Sequence, residues 1–200
     1  MSHEGALAEA SLRPHLERGA RWRLLSSLLE PPRPGRQERL RTLVSETPLG
    51  FDADLEPALA PDDGALIAEH FACLRPAGCV SACASDYIEG GFADKGPILA
   101  DIAGFYRAFG FEPELREAPD HFANLLACLA FLAVKQAYMM HLGDGAQARL
   151  AQEAEAKLFR EHVRSYLERF AANLADVAPE GSAYGAIARV IATACEEPCQ

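Results

Sequence analysis

The sequence predicts an all-α fold, a single globular helical domain over residues 1–200. Three observations predict it. Apolar residues return at three-to-four spacing in segment after segment, Pro and Gly clusters separate those segments, and no stretch alternates apolar and polar residues as a half-buried strand does. Half of the 200 residues are apolar, enough to bury one core.

The elements follow in order. In HLERGARWRLLSSLLE, Leu16, Ala20, Leu24, Leu25 and Leu28 share one helical face, and the prolines and glycine of EPPRPG end that helix. A short helix fits residues 37–46. Residues 62–74 open with two acids suited to a helix start, present Leu66, Ile67, His70, Phe71 and Leu74, and stop before Pro76 and Gly78. Over 76–97 the pattern loosens around a short Cys-rich piece, and Gly78, Gly90, Gly91 and Gly96 mark loops. Pro97 suits a first helical turn. The run after it carries Ile98, Ile102, Phe105, Tyr106 and Phe109 towards a core, with Gly110 as the cap.

The most apolar window, 122–142, contains Asn124, Lys135, Gln136 and His141, and reads as a buried central helix ended by LGDG. Residues 146–177 support one long helix or two in series, with Leu150, Leu158, His162, Val163, Tyr166, Phe170, Leu174 and Val177 along one side. An unbroken helix there would be long for one compact domain, so a kink is expected. APEGS breaks it. A last helix, 184–195, carries Tyr184, Ile187, Ile191 and Cys195 on one stripe.

Charge and motifs narrow the function. A net charge of -10 repels phosphate backbones and favours basic partners such as cationic peptides, so nucleic acid is not the expected ligand. The N-terminus lacks the basic-then-apolar pattern of a secretory or transit peptide, and the expectation is a cytoplasmic protein with no stable membrane insertion. There is no GxxxxGK[ST] loop, no GxGxxG after a strand, no HExxH and no serine in a nucleophile elbow. Glu69-His70 and Glu161-His162 are adjacent pairs on helices, where neighbours diverge by about 100 degrees and share a ligand poorly. No enzyme and no cofactor are expected.

The six cysteines read as reduced, mostly buried thiols. Cys79 and Cys83, like Cys195 and Cys199, stand four apart, on one helical face, where two sulfurs can share a metal. A small metal or iron–sulfur binding protein using Cys73, Cys79 and Cys83 is therefore the alternative reading. Cys128 looks structural.

REAPDHFANLL, residues 116–126, is the most informative stretch. Asp120 follows Pro119 at the head of the central helix, where a carboxylate meets unpaired amides and the positive end of the helix dipole. Beside it stand His121 and Glu117. An acidic cluster next to an imidazole, backed by Phe122, Phe105 and Tyr106, also suits a cationic peptide with an apolar segment.

The order FYRAFGFEPELREAPDHFANLLACLAFLAVKQA, then LFREHVRSYLERFAANL and SAYGAIARVI, resembles the TorD/DmsD/NarJ family of cytoplasmic molybdoenzyme maturation chaperones, over residues 16–195. Its most specific part is the E-x-P-D-H run, matched by Glu117, Pro119, Asp120 and His121. The resemblance implies a TorD/DmsD-like helical fold. It further implies that the chain binds the N-terminal leader, often of twin-arginine type, of the apo form of a molybdopterin-containing catalytic subunit until cofactor insertion. By the same resemblance Asp120 and His121 help form the leader site, with Glu117 adding charge, Pro119 fixing the loop, and Phe122 and Tyr106 beside them. Tyr87 and Glu89, in SDYIEGG, stand near a proline-tyrosine-glutamate run of relatives; here serine and aspartate precede the tyrosine and an isoleucine intervenes. Glu161-His162 resembles the family's Glu-His, with Tyr166 and Phe170 as the aromatic surface. Some relatives imply guanine-nucleotide binding. Monomers and helix-swapped dimers both fit, with 76–97 as the hinge.

Overall fold

In the computed structural model, which describes residues 3–46, 52–60, 62–74, 78–88 and 95–196, the most apolar stretch of the chain becomes a central helix. The order is α1 (His3–Leu29), α2 (Arg36–Glu46), α3 (Asp52–Leu59), α4 (Asp63–Cys73), a short 3-10 turn (Ala84–Tyr87), α5 (Lys95–Phe109), α6 (Phe122–His141), α7 (Gly145–Leu158), a π-helical turn (Phe159–Val163), α8 (Arg164–Val177) and α9 (Ala183–Glu196). Among the described residues there is no strand, only two isolated bridges, Leu74 with Val80 and Cys83 with His121. The all-α, single-domain expectation holds.

Helix α6 passes for a membrane span by length and composition, yet two thirds of its apolar window is buried against other helices. It is apolar on most sides because helices surround it. The helix α1 lies antiparallel along it: Gly19 sits so close that a Cβ there would meet Val134 Cγ2 at 3.0 Å, while Ser26 Oγ donates to the Ala123 carbonyl at 2.8 Å.

A buried polar knot ties α1 to α6 and α7. The Arg18 guanidinium donates to both Glu155 carboxylate oxygens (2.8 and 3.0 Å) and to Gln136 Oε1 (2.8 Å), and Trp22 Nε1 donates to Glu155 Oε1 (3.0 Å). On the other side Phe170 of α8 packs on Phe122, and the fully buried Tyr184 of α9 places its hydroxyl 2.7 Å from His70 Nδ1 of α4.

The element expectations hold with several corrections. Helix α1 starts earlier than the apolar stripe does and runs through Pro14. The helix α3 was not expected, because DADLEPAL contains a proline and is short; Leu55 and Ala58 nonetheless enter the core. Residues 146–177 stay helical throughout, and the expected break is the π turn, which inserts one extra residue per turn without interrupting the helix. Leu16, Phe71, Leu150 and Val177 are exposed rather than buried. Spacing identifies a helix face, but neighbouring helices decide how wide its buried strip is. Of the expected hinge, 76–97, residues 76–77 and 89–94 lie outside the described residues, as does residue 75 before it.

Candidate functional site

The helix α6 begins where His121 caps it. The His121 Nδ1 accepts the Ala123 amide at 3.2 Å, and its carbonyl accepts the Asn124 and Leu125 amides. This corrects the sequence expectation, which gave the helix-start role to Asp120. Asp120 stands one residue too early for that geometry, and its carboxylate turns to a different element.

That element is the Cys-rich piece. Asp120 Oδ2 accepts the Ser85 amide (2.8 Å) and the Asp120 carbonyl accepts the Ala84 amide (3.0 Å), while the Phe122 amide donates to the Ala82 carbonyl (2.8 Å). Residues 82–85 thus lie edge-on against 120–122, bridged at Cys83 and His121. The Tyr87 hydroxyl donates to the Ser81 carbonyl (2.7 Å), its ring packs on Phe122, and Arg169 both donates to the Tyr87 carbonyl and covers the ring. The Tyr106 hydroxyl donates to the Pro119 carbonyl at 2.7 Å.

Six of the seven residues singled out from the sequence, Tyr87, Tyr106, Pro119, Asp120, His121 and Phe122, therefore meet in one node. The node is interior: Asp120 is 1% exposed and His121 7%. Its Oδ1 is buried with no hydrogen-bond partner among the described residues. Glu117 is exposed on the neighbouring loop.

Burial sets the electrostatics. It pushes the His121 imidazole down to about 4, against a pull upward from Asp120 and with a further push down from His70. A neutral ring with a free Nδ1 lone pair is what the helix cap requires. Burial, then the charges of Asp120, Asp86 and Glu117, push the Cys83 thiol up to about 12, offset in part by Ser81. Burial and Glu69 also raise Cys73. Among the described residues no group of three His, Cys, Asp or Glu is arranged to hold a metal, and Cys73, Cys79 and Cys83 do not form one. Cys199 and Glu89 lie outside the described residues.

The remaining predicted residues part company with the node. Glu161 is exposed and faces Lys157 and Arg160, while the π turn directs His162 Nε2 to Asp101 Oδ2 at 3.0 Å. Phe170 is core rather than an aromatic surface, since Phe122 covers it.

One site residue escaped the sequence reading. Asn124, in the first turn of α6 and 2% exposed, donates its side-chain amide towards the carbonyls of Ala118 (3.0 Å), Leu115 (3.4 Å) and Glu117 (3.4 Å). It pins a strap, residues 110–118, whose other end is held by Lys135 Nζ on the Phe109 carbonyl (2.9 Å) and by Gly110 at φ +71°. A polar residue in an apolar window was the available signal. Between this strap and α1 runs a groove of about 640 Å³, floored by Ala127, Ala130 and Phe131 of α6 and edged by Glu112 and Glu114.

A family model described as the nitrate reductase delta subunit matches residues 39–172, more than half of the chain. No curated protein and no solved structure matches. The matched span contains the node and the strap, and it leaves out α1 and α9, which complete the core around them.

Proposed function

Because this chain belongs to the nitrate reductase delta subunit family, a family of chaperones without catalytic activity that is tied to molybdoenzyme maturation, we propose that it binds the N-terminal leader of the catalytic subunit of a molybdopterin-containing oxidoreductase. It holds the apo subunit in the cytoplasm until cofactor insertion and assembly. The observation that carries this reading is the groove: an apolar floor between helices, walled on one side by an acid-bearing strap that ends in the PDH node.

The chemistry supports a leader as ligand. A twin-arginine leader offers guanidinium groups, which take carboxylates in bidentate geometry, and an apolar helix-forming stretch, which takes a groove between helices. Each charge-assisted contact near the surface contributes about 1.5–3 kcal/mol at most, and apolar burial supplies the rest. Such affinity permits release, which a chaperone needs. In this reading Asp120, His121, Tyr106, Pro119, Tyr87 and Phe122 set the strap's position from beneath, and Glu117 adds negative charge on the exposed loop next to the groove.

Calorimetric titration with synthetic leaders of molybdenum enzymes from the same organism tests it, each paired with a peptide whose arginines are replaced. Saturable binding of one leader, weakened in its control, is the expected outcome. If every leader leaves the heat signal flat, the leader reading fails.

A further inference from the structure

The groove does not end where the strap ends. Ala127, Phe131, Val134 and Tyr138 of α6 and Leu142 at its C-cap recur at three-to-four spacing, and the last three are about half exposed, a run of large apolar side chains facing outward. From Asn124 to Leu142 this track is about 27 Å long at 1.5 Å per residue. Its two halves differ in charge. The half near the start of α6 carries Glu30, Glu112 and Glu114 at its edges, with Arg23 and Arg33 on the opposite side of the charge balance, and the half towards Leu142 presents the exposed side chains of Val134, Tyr138 and Leu142.

At the acidic half an internal guanidinium is already in place. Arg23, on the α1 wall, puts Nη1 3.4 Å from Glu30 Oε1 and Nη2 3.9 Å from Glu114 Oε2 on the strap, so one side chain reaches from one wall of the groove to the other. Arg23 is about half exposed and Glu114 almost fully so. The contact is therefore long, solvated and weakly held, the kind that an incoming cation can exchange.

We propose that the whole track is a docking surface for a single amphipathic helix of about 18 residues, with arginine at its N-terminal end and a continuous apolar face, and that its guanidinium replaces Arg23 on Glu30 and Glu114. This rests on the leader reading and adds to it a location, a direction and a built-in competitor. The bound helix runs parallel to α6, its arginine end at the strap and its apolar face on Val134, Tyr138 and Leu142. Arg23 keeps the two carboxylates paired in the free protein, and a helix without a guanidinium makes no charge contact at that end.

The test uses the full chain and a fluorescein-labelled synthetic peptide, two arginines followed by a 16-residue Leu/Ala helix, read by anisotropy at low salt. Relative to the wild-type protein, Arg23→Gln is expected to bind about fivefold more tightly, because the carboxylates lose their internal partner. The double variant Glu30→Gln/Glu114→Gln is expected to bind about tenfold more weakly, and Tyr138→Asp to weaken binding with its far-UV spectrum unchanged. A peptide with its arginines moved to the C-terminal end is expected to bind less well than the original.

Equal or weaker binding by Arg23→Gln overturns the exchange, and indifference to Tyr138→Asp overturns the track. Probe binding that falls as protein concentration rises, with a dimer seen in sedimentation, would assign the face to a second copy instead. If natural leaders bind in calorimetry but ignore both Arg23→Gln and Tyr138→Asp, the docking inference fails while the leader reading stands.

Discussion

Asp120 holds the Ser85 amide with one carboxylate oxygen and keeps the other buried with no partner among the described residues. Asp120→Ala strands a buried N–H and is expected to cost about 1–3 kcal/mol in a urea titration; Asp120→Asn, which keeps an acceptor oxygen, is expected to cost less. A variant of equal stability to wild type would show that the Ser85 contact contributes nothing. His121 makes a pH prediction. Its imidazole stays neutral in the folded protein down to about 4, whereas in the unfolded chain it takes a proton near 6.5. Between those values the unfolded state binds more protons, so stability falls as pH falls through that window, by up to about 3 kcal/mol, and this group adds no slope above it. His121→Asn keeps a cap acceptor and removes the titration. Its urea midpoint is expected to vary less from pH 6.5 to 4 than that of the wild type. The PDH run was legible as a special place, but its sequence reads as a helix start with exposed charge. Only the approach of residues 82–85 buries it.

At the level of elements, α1 is fixed to α6 and α7 by Arg18 and Glu155, with Arg18 mostly and Glu155 almost wholly buried. Arg18→Met leaves a buried carboxylate without its guanidinium partner and is expected to destabilise the fold by about 3–5 kcal/mol. Adding Glu155→Leu is expected to recover a good part of that loss, because the uncompensated charge is gone. Thermal or urea unfolding of both variants checks this, and a double variant no more stable than the single one would contradict it. The helices themselves were readable from their periodicity and from the prolines and glycines between them. The partner of Glu155 was not, since in AQEAEAKL it looks like any surface acid until α1 crosses over it. The π turn at Phe159–Val163 likewise follows from packing, for nothing in FREHV distinguishes it from an ordinary helical turn.

Across the whole molecule, the family-matched span 39–172 lacks two helices that close the core: α1, which brings Leu24, Leu25 and Leu28, and α9, which brings Tyr184, Ile187 and Ile191. A fragment of that span exposes the buried faces of α6 and α8 and is expected to show no cooperative unfolding transition by circular dichroism, while the full chain shows one. A cooperative transition in the fragment would make α1 and α9 accessories instead. The groove is equally a product of the whole, for its walls come from α1 and from the strap, about 90 residues apart in the chain. What the sequence alone determined is the fold class, most helix positions, the central place of α6 and the residues of the node, because periodicity, capping and chain breakers act over a few neighbouring residues. Tertiary structure alone decided that Asp120 faces inward, that the neutral Asn124 pins the strap where it meets the start of α6, and that Arg23 meets Glu114 across a groove. Burial and pairing depend on segments brought together from far along the chain, and local pattern carries no record of which partner arrives.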